Sequence, residues 1–139
     1  MKIARFEDVQ IGDALPELVT PPVTRHTLGL YAGASGDYNP LHIDSDFARQ
    51  AGMPDVFAHG MLSMAYLGRV LTGWVAPSAI RSYGVRFVAI THVGDQVCCR
   101  ATVAGKFVDQ GEQRVLLHLT TSNQAGEIKL TGQAVIALD

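Results

Sequence analysis

Along the second half of the chain, apolar and polar residues alternate in runs separated by glycine-containing turns. "YGVRFVAITHV" (83–93) sets Tyr83, Val85, Phe87 and Ala89 against Gly84, Arg86, Val88 and Ile90. "QVCCRATVAGKFV" (96–108) places Val97, Cys99, Ala101 and Val103 on one side. Segments 113–123 and 127–139 follow, and the joints "DQGE" (109–112) and "QAGE" (124–127) have hairpin length. Period-two alternation punctuated by such loops predicts antiparallel strands.

The first half reads differently. "HGMLSMAYLGRVLTGW" (59–74) is apolar nearly all the way round, with Ser63, Arg69 and Thr72 as the clear interruptions. It predicts a helix of about 24 Å, enclosed by the rest of its domain. Upstream, Thr24 caps a helix over 25–35, with Leu28 and Tyr31 on one face and Gly36 at its end. "GDYNPLH" is a loop, because Pro40 and the Asp and Asn residues disfavour continued helix. A short helix follows over 45–51 and stops at Gly52. "EDVQIGDALPELVTPPV" is extended chain with at most one short strand. An enclosed helix followed by long antiparallel strands predicts one α+β domain over residues 1–139. In it a sheet with one buried face curls around a central apolar helix, the architecture of the hot-dog fold.

Composition narrows the function classes. The 139 residues carry a net charge of −2, which gives no electrostatic footprint for nucleic acid or an anionic membrane. No apolar run approaches the ~20 residues that span a bilayer, and the first ten residues lack the apolar core of a secretory signal. The two cysteines, Cys98 and Cys99, are adjacent on a predicted strand and point to opposite faces, so they are poorly placed to bridge. Two reduced thiols fit a cytoplasmic setting and make no zinc framework.

The candidate chemistry is crowded into "YAGASGDYNPLHIDSDFA" (31–48) and "AHGMLSMA" (58–65). Asp37 and His42 on one short loop suit joint binding of a water and general acid–base work. The same residues also suit a structural Asx turn beside an ordinary histidine. Asn39-Pro40 stiffens the loop. A metal held by His42, Asp44 and His59 is a third reading, although paired ligand spacing is missing. Gly60, at the start of the apolar helix, leaves open backbone N–H groups that can stabilise an oxygen gaining negative charge.

The ordered set "YAGASGDYNPLHIDSDFARQAG" then "FAHGML" resembles the MaoC-like, R-specific enoyl-thioester hydratase family (hydratase 2). "FEDVQIGDALPE" and the later "VRF" and "VGD" fit the same pattern. The helix 59–74 looks most like that of the catalytic B subunit of mycolic-acid-type (3R)-hydroxyacyl-acyl-carrier-protein dehydratases. The resemblance implies catalytic roles for Asp37 and His42 and an oxyanion role for the Gly60 N–H. Asn39 and His59 are supporting residues, and Phe57, Met61 and Met64 line the acyl pocket. It implies reversible hydration of trans-2-enoyl thioesters carried by coenzyme A or acyl carrier protein, with no cofactor and no metal. A homodimer, or a heterodimer with another hot-dog subunit, is the expected assembly. Two departures stand out: Gly68 occupies the place where some hydratases carry a serine, and Ile90 the place of a frequent proline. A hot-dog thioesterase and a non-catalytic acyl-binding subunit are the competing readings.

Overall fold

The computed structural model describes residues 4–139. After a 3-10 turn at Phe6–Asp8 come a two-residue strand β1 (Leu18–Val19), helix α1 (Arg25–Ser35), a 3-10 turn at Pro40–His42, helix α2 (Ser45–Gln50) and helix α3 (Gly60–Thr72). Four long strands follow: β2 (Ile80–Phe87), β3 (Cys98–Asp109), β4 (Glu112–Ser122) and β5 (Ile128–Leu138). They form one curled antiparallel sheet in the order β1-β3-β4-β5-β2, the hot-dog arrangement the pattern predicts.

Local chemistry accounts for the elements. The Thr24 hydroxyl accepts the Thr27 N–H, and Gly36 closes α1 at φ 75°, a conformation that favours glycine. Val97, just before β3, and Cys99, Ala101 and Val103 on it form one buried face. It meets Leu67, Val70 and Leu71 of α3 and Val115, Leu117 and Leu119 of β4 in one core. Cys99 is buried and Cys98 half-buried, both as free thiols. Burial pushes the Cys99 thiol up to about 12, which keeps it protonated and inert.

Two expectations need correction. Strand β2 begins three residues earlier than the alternation suggested and stops at Phe87 instead of running to 93. Beyond Phe87 the Val88 and Ala89 N–H groups both donate to the single Lys129 carbonyl, at 2.8 and 3.2 Å. One acceptor cannot keep a ladder in step, so the chain leaves the sheet. Helix α3 is also not enclosed on every side: Leu62, Ser63, Leu67, Val70 and Leu71 are buried, whereas Met61, Ala65 and Arg69 are exposed. Apolar composition marks positions suited to burial without saying what covers them. No helix among the described residues is long and apolar enough to cross a membrane.

Candidate active site

The loop after α1 is built by short polar side chains. The Asp37 N–H donates to Ser35 Oγ (3.2 Å), and Asp37 Oδ1 accepts the Asn39 N–H (3.3 Å). Asn39 Oδ1 in turn accepts the Leu41 N–H (3.1 Å), and Pro40 opens the 3-10 turn that presents His42. The Asx-turn reading and the functional reading of Asp37 are therefore compatible, since only one carboxylate oxygen serves the turn. Asp37, not Asp44, is the carboxylate that converges with His42 and His59; Asp44 serves instead as a helix cap. Its Oδ1 accepts the Asp46 and Phe47 N–H groups as the N-cap of α2.

A second segment docks onto this loop. Asp55 accepts Ser45 Oγ (2.9 Å) and the Val56 N–H (2.8 Å) and pairs with Arg25. The Arg25 hydrogen bond is the main cause that holds its carboxyl down to about 2. The chain then runs past His42. The Phe57 carbonyl accepts from His42 Nδ1 at 2.7 Å, and the Phe57 ring meets the His42 ring edge-on at 5.1 Å. Because a carbonyl can only accept, Nδ1 carries the proton. In the neutral ring Nε2 then carries the lone pair, the state a general base needs.

His59 lies beneath this ring. It is 1% exposed, stacks on His42 with centroids 4.0 Å apart and 28° between planes, and meets Tyr31 edge-on at 4.8 Å. Its Nε2–H donates to the Asp37 carbonyl at 3.2 Å, whereas Nδ1 is buried without a partner. Burial first, and then the neighbouring His42, hold the His59 imidazole below its ordinary value, so it stays neutral. Asp37, His42 and His59 each bring one donor atom to within 4.8 Å of the others. Stacked imidazoles send their in-plane lone pairs side by side, and His42 Nδ1 and His59 Nε2 already serve carbonyls. That suits proton transfer better than chelation, which needs both nitrogens at about 2.0–2.1 Å from one ion.

Helix α3 starts next to the stack. His59 is its N-cap and makes no side-chain capping bond; the Leu62 N–H reaches the His59 carbonyl, which leaves the Gly60 and Met61 N–H groups to whatever faces them. A cavity of about 280 Å³ opens there, lined by His42, Phe57, Gly60, Ser63, Phe87 and residues 88–91, with Ala58 and Leu130. Phe57, one of the three residues expected at an acyl pocket, lines this cavity. Met61 and Met64 do not: Met61 is 53% exposed on the outer side of α3, and the Met64 carbonyl accepts the Tyr83 hydroxyl (2.6 Å). Helical geometry puts Gly60 and Ser63 on one side and turns Met61 about 100° away. A Cβ on Gly60 would come within 2.8 Å of the Phe87 ring, so the glycine is required by contact as well as by access. A larger hollow of about 840 Å³, lined in part by Trp74, Arg81 and Glu112, holds none of these residues.

Residues 8–125 match the family model described as the MaoC like domain. The chain belongs to that family. It is 32% identical to the (R)-specific enoyl-CoA hydratase of Rhodospirillum rubrum over 94% of this chain and 89% of that one. It is 26% identical to the 3-hydroxybutyryl-CoA dehydratase of Methylorubrum extorquens, over 98% and 85%. Among solved structures, an R-hydratase from Pseudomonas aeruginosa superposes with a TM-score of 0.84 at 27% identity, over 97% and 86% of the two chains. Two cavity-lining positions of this MaoC-like chain escape the sequence pattern. Ser63 and Phe87 line the cavity, and only their spacing from Gly60 along α3 and their place at the end of β2 point to them.

Proposed function

We propose that residues 1–139 act as one hot-dog domain that catalyses reversible hydration of trans-2-enoyl thioesters to (R)-3-hydroxyacyl thioesters. The observation that carries this reading is His42. Its Nδ1–H is committed to the Phe57 carbonyl, its Nε2 is free, and Asp37 lies within 4.8 Å. Water held between the Asp37 carboxylate and His42 Nε2 adds its oxygen to C3 as His42 takes a proton. The electron pair of the double bond moves toward the thioester oxygen, where the Gly60 N–H and the start of α3 stabilise the enolate charge. The proton taken from that water, delivered to C2, completes the addition and returns His42 to its starting state, and dehydration runs the same steps backwards. Asn39 holds the loop. His59 supports both catalytic groups at once, one through the stack and the other through the Asp37 carbonyl.

The substrates are acyl-CoA or acyl-carrier-protein thioesters. The assembly is a homodimer or a heterodimer with another hot-dog subunit, which would cover the exposed Met61, Phe87, Val88 and Ile90. The two free thiols suit the cytoplasm. Hydration of crotonyl-CoA, followed by loss of enoyl absorbance, tests the reading. Activity is expected to fall by about 10²–10⁴-fold in His42→Ala and Asp37→Ala, with unchanged melting temperatures. Full activity in both variants, or release of free thiol in place of hydration, overturns it.

A further inference from the structure

Ser63 is a buried polar side chain that the chemistry above leaves unused. It is 1% exposed, lies three residues after Gly60 on α3, and lines the same cavity as Gly60 and His42. A helical serine ordinarily turns back to the carbonyl four residues earlier. Here that carbonyl belongs to His59 and also accepts the Leu62 N–H at 3.1 Å, so it is a shared acceptor with which a substrate oxygen competes for the hydroxyl. Cα–Cβ bonds in a helix tilt toward its N-terminus, and residues three apart share a face. The Ser63 hydroxyl therefore leans over the first turn, toward the space in front of Gly60, where no Cβ intervenes.

Resting on the hydratase reading, we propose that Ser63 is a catalytic residue, a second donor to the thioester oxygen. Its O–H and the Gly60 N–H converge on that oxygen and share the charge that develops as water adds at C3. No bond to Ser63 forms or breaks, and its proton stays on Oγ throughout. A serine here divides the work of the oxyanion site between one fixed backbone donor and one rotatable hydroxyl. The hydroxyl can follow the oxygen as the carbonyl carbon gains enolate character.

The test is steady-state hydration of crotonyl-CoA by Ser63→Ala, Ser63→Cys and Ser63→Thr, with melting temperatures alongside. Ser63→Ala is expected to lower kcat about ten- to a hundredfold, with KM within about twofold. Ser63→Cys, of similar size but a weak donor, is expected to track it and decides the matter if the alanine variant does not fold. Ser63→Thr keeps the hydroxyl and is expected to restore most of kcat. The lower limb of the pH–rate profile stays in place, because the donor acts on substrate and not through His42. An active parent with Ser63→Ala and Ser63→Cys both within threefold of it overturns this inference alone, as does a displaced lower limb. A parent that hydrates no enoyl-CoA overturns the hydratase reading and this inference together.

Discussion

A single methyl group probes the site at its tightest point. In Gly60→Ala the new Cβ meets the Phe87 ring at 2.8 Å, closer than side-chain carbons pack. The ring must swing toward the cavity or the helix start must shift, and either displaces the backbone donor. Hydratase activity is expected to drop by about 10²-fold, and Phe87→Leu in the same chain is expected to recover part of it. Kinetic assay of the single and double variants measures this. His59 makes a second residue-scale prediction. Its imidazole is held below the ordinary value of 6.5 in the fold and regains that value on unfolding. Below 6.5 the unfolded chain thus binds more protons than the native one, so stability falls as pH drops until the folded value is reached. Urea unfolding at about pH 7.5 and about pH 5.5 is expected to show a larger loss for the parent than for His59→Gln. Asp37, Asn39, His42 and Gly60 were legible in the sequence because a motif fixes their spacing. The His59–His42 stack was not, because it depends on how residues 55–59 dock, which a chain of letters does not specify.

At the scale of elements, the buried Lys129 organises the end of β2. It is 2% exposed, its Nζ donates to the Ile90 carbonyl at 2.7 Å, and Glu127 and Asp95 lie at 3.1 and 3.7 Å. Its own carbonyl takes the two N–H groups that end the strand. Lys129→Met removes the charge-assisted bond and leaves the carboxylates unpaired. It is expected to cost about 2 kcal/mol in urea unfolding and to speed amide exchange in residues 88–91. Gly132 marks another constraint. A Cβ there would strike the Gly84 carbonyl on the neighbouring strand β2, so Gly132→Ala is expected to cost about 1–3 kcal/mol in the same measurement. Alternation located β3, β4 and β5 to within two residues, because β4 and β5 keep one face buried for most of their length and β3 does so over its first half. It overran β2 because Val88, Ala89 and Ile90 stay apolar and strand-like after the pairing ends. Hydrogen-bond partners decide where a strand stops, and they lie elsewhere in the sequence.

For the whole molecule, the order of helix then strands was enough to read the hot-dog architecture. The exposed side of α3 was not, since an apolar surface reads alike whether its cover is the same chain or another. Phe87 at 53% exposed and Val88 at 55% belong to the cavity wall, and Met61, also 53% exposed, lies on the outer side of α3. A patch of this kind on a 14.9 kDa chain is expected to be covered in solution. Sedimentation equilibrium is expected to give about twice that mass for the chain alone or, if the partner is a different subunit, only after mixing. Val88→Glu is expected to return it to the monomer, because an uncompensated charge is costly to bury.

The departure of β2 from the sheet at Phe87 has a bearing on how this protein can change. The proposed catalytic groups ride on a loop held by its own hydrogen bonds and on the start of α3. The opposite wall is four residues of unladdered backbone, tethered at Lys129 and, through the Thr91 carbonyl, to the Ala58 N–H. Insertions or swaps in those four positions would reshape what fits without disturbing what reacts. New acyl preferences can therefore arise by drift in one short stretch while the proton-transfer apparatus is inherited intact.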